Sequence, residues 1–91
     1  MNGLRFSTQQ VLTAGSTSSA SSAFGANTEY IRVVSTITCH IAIAASPTAT
    51  TSTQFLPANE IEIIKISAGE KIAVLRGAST DGKLHVTELS E

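Results

Sequence analysis

Cys39 and His40 are the residues whose chemistry comes first to mind, since a thiolate and an imidazole can share a zinc ion or act as nucleophile and base. Neighbours on an extended strand point to opposite faces, so this pair is badly placed for either task. The only other histidine, His85, has no cysteine near it in sequence. Asp81, His85 and any of many serines can be assembled on paper into a Ser-His-Asp set. A triad is defined by geometry, however, and a serine-rich chain supplies the combination by composition alone. There is no Gly-x-Ser-x-Gly elbow, and Gly25, Gly69, Gly77 and Gly82 are isolated, as turn residues are, rather than grouped to cradle a phosphate. Glu60 and Glu62 fall on one face of a strand beside Lys65, which reads as a solvated edge rather than an acid-base pair. The expectation is a protein with no catalytic residues, no metal and no cofactor, which is not an enzyme.

The elements that would carry these residues are strands. From Glu29 to Ala44, Ile31, Val33, Ser35, Ile37, Cys39, Ile41 and Ile43 share one parity while Arg32, Thr36, Thr38 and His40 share the other. A period of two over that length means β-structure with one buried face, and it is too long for one strand, so a bend near Ser35 to Thr38 divides it. Ser46-Pro47-Thr48 ends the run because proline lacks the amide hydrogen of a central ladder. A Thr-rich stretch follows to Gln54, and Phe55-Leu56-Pro57 turns into the next strand. Between Glu60 and Ile66 the apolar set moves from Ile61 and Ile63 to Ile64 and Ile66, which predicts a bulge or a change of sheet. Ser67-Ala68-Gly69-Glu70 suits a tight turn with Gly69 at positive φ and Lys71 to Arg76 returning antiparallel. Asp81-Gly82 is the strongest hairpin signal.

Toward the N-terminus, Leu4, Phe6, Val11 and Leu12 outline a first strand. Thr13 to Ala23 is almost wholly Ser, Thr, Ala and Gly, and both a flexible arm and a strand of small residues remain open for it. The chain divides into residues 1–23, as strand and arm, and residues 24–91, as a β-sandwich body, within one domain. The fold class is all-β: a small antiparallel β-sandwich or jelly-roll-like barrel of about seven strands.

Composition narrows the function. With 91 residues, no Trp, one Tyr and three Phe, the core must be built from Ile, Val, Leu and Ala, and a chain of this size buries roughly 60–65% of its unfolded surface. A partner surface adds burial to so thin an interior. Net charge is -1 with scattered Lys and Arg, which offers no basic stripe for nucleic acid and no polybasic membrane patch. One cysteine excludes an internal disulfide, and the N-terminal residues lack the apolar core of a signal peptide, so assembly in the cytoplasm is expected. Glu60, Glu62, Lys65, Glu70, Lys71 and Lys83 flank the Ile-rich strands as guards against edge pairing. An apolar strip would lie uncovered if Ile63 or Ile64 faces outward and Leu75 and Leu89 face away from Val74 and Val86.

The succession Tyr30-Ile-Arg-Val, Cys39-His-Ile-Ala-Ile, Ser46-Pro-Thr-Ala-Thr, Phe55-Leu-Pro-Ala, Gly69-Glu-Lys-Ile-Ala-Val and Leu84-His-Val-Thr-Glu-Leu resembles the small all-β decoration, or cement, proteins of tailed bacteriophage heads. The resemblance runs from about Phe24 to Leu89. It implies a virion protein on the capsid surface that binds the major capsid (coat) protein, bridges coat subunits and self-associates as a trimer or dimer. This chain has no extended charged or proline-rich arm, so strand edges or the segment Leu4 to Phe24 would have to make the contact. Leu4, Phe6, Phe24, Phe55 and Leu56 are the candidate interface residues, being bulky and close to segment ends. A tail, connector or fibre-associated virion protein would share these patterns. A host-glycan-binding module is a further reading, with Tyr30 as its lone aromatic platform.

Overall fold

The computed structural model describes residues 5–26, 28–77 and 79–90. Eight strands form: β1 (Arg5–Ala14), β2 (Ser19–Ala20), β3 (Tyr30–Ser35), β4 (Cys39–Ala44), β5 (Gln54–Leu56), β6 (Glu62–Lys65), β7 (Lys71–Arg76) and β8 (Gly82–Ser90). No helix occurs among the described residues. The strands make two antiparallel four-stranded sheets, sheet A in the order β1-β8-β3-β6 and sheet B in the order β2-β7-β4-β5. Every connection except that between β4 and β5 passes from one sheet to the other, which is the connectivity of an eight-stranded jelly roll.

The alternating run from Tyr30 to Ala44 explains the centre of the sandwich. Its odd residues Ile31, Val33 and Ser35 on β3 and Cys39 and Ile41 on β4 are buried, and the three-residue corner 36–38 carries the chain from sheet A to sheet B. Both strands therefore turn the same parity toward one core. Ile72 and Val74 of β7, Leu84 and Val86 of β8, Leu56, Ile66, Phe24 and Ala14 complete it. Burial of this kind contributes on the order of 25 cal/mol per Å² of apolar surface removed from water.

Three local expectations need correction. Gly69 does adopt φ 83°, but the strands it joins, β6 and β7, lie in different sheets. Asp81-Gly82 likewise links β7 of sheet B to β8 of sheet A. Neither turn makes a hairpin, because each strand finds its ladder with a residue far away in sequence. The parity change in β6 is not a bulge either: Tyr30↔Lys65 through Val33↔Glu62 run in unbroken register. Ile61 and Ile63 are exposed, whereas Ile64 packs against the core and Ile66 is buried, so β6 is apolar on both faces. The irregular register lies in β1, between Phe6 and Gln9.

The small-residue segment after β1 is built into the sandwich. Ser19 and Ala20 pair with Val74 and Ala73, the Ser21 amide donates to Ile72 O, and the Phe24 amide donates to Glu70 O at 2.9 Å. Small side chains suit it because β2 lies at the edge of sheet B beside a roof formed by the chain itself. Ala20, Ala42 and Ala73 share the outer face of that sheet, yet Ala73 is 0% exposed. The segment from Ala45 to Thr53 leaves β4 and returns to β5, and on the way the buried Ala49 donates its amide to Ser18 Oγ at 2.9 Å. Ser18 adjoins β2, on the far side of β7 from β4, so the Thr-rich segment crosses the outer face of sheet B.

Candidate functional site

Among the described residues, no segment roofs sheet A in this way. Its outer face is ordered by register: Lys65, Tyr30, Leu89 and Phe6 form one cross-strand row, Ile63, Arg32, Thr87 and Gln9 a second, and Val34, His85 and Val11 a third. Cross-strand partners share a face, so these side chains lie together opposite the core. Phe6 is 72% exposed, Val11 53% and Ile63 55%, and Ile61, just before β6, is 53% exposed. The Arg32 guanidinium carbon lies 5.9 Å from the centroid of the Phe6 ring, reaching across β8. Leu89 and Thr87, which sit on β8 between the strands that carry those two side chains, are buried although they face outward. The result is an apolar face with one guanidinium near its middle and a hydroxyl and an imidazole beneath.

A second concavity opens where the sandwich edges β5 and β6 face one another. It has a volume of about 580 Å³, with a floor of Ile41, Ile43 and Ile64 and a rim that includes Gln54, Phe55 and Glu62. The groove exists because β5 pairs only with Cys39, His40 and Ile41, leaving the second half of β4 without a ladder partner on that side. Phe55 lies outside the core beside His40, ring centroids 5.5 Å apart in an edge-on arrangement with 65° between the ring planes, and His40 Nδ1 is 3.3 Å from Thr53 O. That carbonyl can only accept, so Nδ1 carries the hydrogen in this contact.

The residues with reactive side chains are dispersed. Cys39 is buried, and burial raises its thiol pKa, an effect that outweighs the opposing hydrogen bond from the Ser35 side chain. His40 points to the other face, as adjacency on a strand requires. Asp81 pairs with Arg76 at 2.5 Å on the surface, while His85 lies on the outer face of sheet A. Among the described residues no three His, Cys, Asp or Glu side chains converge to hold a metal. No helix there is long and apolar enough to cross a membrane.

Of the five residues picked out as contacts, Leu4 lies outside the described residues. Phe6 and Phe55 are exposed, on sheet A and sheet B respectively. Phe24 and Leu56 are correctly bulky but belong to the core: Leu56 faces Cys39 across the β4–β5 ladder, and Phe24 closes the end of the sandwich beside β7. Neither side chain is available to a partner. Val11 and Ile61 are surface residues that the sequence reading missed, whereas Ile63 is the member of the Ile63–Ile64 pair that faces outward. The two isoleucines left a signal in the doubled parity of β6. Val11 left none, since its exposure depends on which face of β1 is turned toward the opposite sheet.

Comparison with protein-family models, with characterised proteins and with solved structures finds no match to this chain.

Proposed function

We propose that this protein is a structural component of a virion that docks the outer face of sheet A onto the coat protein of an assembled phage head and reinforces contacts between coat subunits. The supporting observation is the contrast between the two outer faces. The chain roofs sheet B with its own 45–53 segment and leaves Phe6, Val11, Ile61 and Ile63 uncovered around sheet A. A jelly roll by itself implies no function, so the reading rests on that face together with the resemblance in the strand sequences. Many copies, each with an interface of about 1,600 Å², resist shell expansion without any single strong bond.

The test is co-sedimentation of the purified protein with empty phage heads. Saturation at a simple fraction of the coat-subunit number is expected, and it should be lost with Ile63→Lys, which sets a second charge beside Arg32 at the β6 edge of the apolar face. Binding to isolated tails at a few copies per particle would move the protein to the tail or connector. Failure to sediment with either particle would sink the proposal.

A further inference from the structure

The two sheets have four edge strands, and they differ in how they are defended. β2 and β5 are two and three residues long, too short to template another strand. β6 has four residues, bracketed by Glu62 and Lys65, and Glu60 lies just before it. Charges and brevity are the usual protections against edge pairing. β1 has neither: it is a ten-residue edge strand, and from Phe6 to Ala14 it holds no charged residue and no proline. Its one irregularity lies between Phe6 and Gln9, leaving Gln9 to Ala14 in regular register with β8. Apart from this ladder, no backbone hydrogen bond involves Phe6 to Ala14 among the described residues. Gln10 Oε1 accepts the Ser22 amide at 2.9 Å, a side-chain contact that does not occupy the free backbone edge.

From this we infer that β1 pairs antiparallel with β1 of a second copy, joining two A sheets into one continuous eight-stranded sheet. The occupant follows from closure. An antiparallel pairing of a strand with its own copy is two-fold, consumes both free edges and stops at a dimer. Pairing of β1 with β6 of another copy would run head to tail into an open fibre and would lay an uncharged edge against Glu62 and Lys65. A two-fold axis normal to the sheet requires partners of the same facing. With the axis at Val11, Val11 meets its counterpart on the outer face, Gln9 faces Thr13, and Gln10 faces Leu12 on the inner side. No like charges oppose one another, an apolar pair lies on the axis, and the Gln-Thr pairs can hydrogen-bond. The pairing stands independently of the docking proposal. If both hold, the dimer presents two apolar A faces side by side.

Sedimentation velocity and light scattering on the whole chain test it. The wild type is expected at twice the 9.4 kDa chain mass. Val11→Lys and Val11→Glu, each at an exposed position, should both be monomeric with unchanged far-UV circular dichroism, because like charges meet on the axis. An equimolar mixture of the two variants should return to the dimer mass, since Lys then faces Glu. A wild type that stays monomeric at millimolar concentration, a Val11→Lys dimer, or a mixture that fails to re-form would each overturn the pairing.

Discussion

Thr28 donates its hydroxyl hydrogen to Glu88 Oε1 at 2.5 Å across 60 residues of sequence, and the same carboxylate oxygen accepts the Gly25 amide at 3.0 Å. Glu88 faces inward from β8, opposite Ile31, and is buried. It therefore fastens the connection between β2 and β3 to sheet A. Among the described residues every buried side-chain N or O atom has a hydrogen-bond partner, and this carboxylate is how the loop meets that requirement. Thr28→Val should lower unfolding free energy by about 1.5–3 kcal/mol, as loss of a bond to a charged acceptor does. Glu88→Gln should cost less than Glu88→Ala, because the amide oxygen can still accept both donors. Urea unfolding of the three variants measures the order.

Gly82 and Gly69 should both resist substitution, for different reasons. A Cβ on Gly82 would stand 2.5 Å from Ile37 Cγ1 and 2.8 Å from Thr36 Oγ1, at the corner where Thr36 and Lys83 exchange bonds. Gly82→Ala is expected to destabilise by about 1–3 kcal/mol through overpacking. Gly69 has open space around it and φ 83°, so Gly69→Ala should cost roughly 1–2 kcal/mol by backbone strain alone. Pairing each with Ile37→Ala, which removes both γ carbons that the new methyl would strike, separates them in thermal unfolding. The smaller residue should partly rescue Gly82→Ala and leave Gly69→Ala unchanged.

Cys39 should be silent to thiol reagents in the native state and to pH until the alkaline range. Burial raises its pKa, so the folded chain holds the proton more tightly than the unfolded chain. Stability is then unaffected by this group below the unfolded thiol's pKa of about 8.5. It falls as pH rises beyond that, by at most ~1.4 kcal/mol per pH unit, until the folded pKa is reached. Cys39→Ser should remove that alkaline slope. Denaturant midpoints from pH 7 to 10 check the sign, and a slope that persists in the serine variant would contradict it.

The roof over sheet B makes a local prediction. Ser18→Ala removes the hydroxyl that accepts the Ala49 amide, and should speed hydrogen exchange at Ala49 while leaving the core amides protected. Ala73→Val should do more damage, about 1–3 kcal/mol, because the added methyls have only the covering segment to displace.

Arg76 and Asp81 offer the opposite expectation. Their ion pair is exposed, with Asp81 more than half accessible, and should be worth less than about 1 kcal/mol at low salt. Asp81→Asn in 1 M salt is expected to be indistinguishable from the wild type in denaturant midpoint.

Much of this fold is legible in the residues themselves because period-two alternation is a local property. Tyr30 to Ala44 reveals two strands, their buried parity and the corner between them, and Gly69 reveals its positive φ, since a turn is decided by the few residues within it. The order of strands is decided elsewhere. β1 meets β8 and β3 meets both β6 and β8, so the partners lie tens of residues apart, and burial of the shared core, not turn chemistry, selects them. For that reason Asp81-Gly82 looks like a hairpin and instead links two sheets. The same holds for the surface: Phe24 and Leu56 are large and apolar like Phe6, and only the closure of the sandwich determines that they are inside. The sequence by itself determined that this chain is all-β, lightly charged and organised around an aliphatic core. Only the tertiary structure decided which apolar face stays open and which edge stays unguarded, because exposure is a property of what packs beside a residue and not of the residue alone.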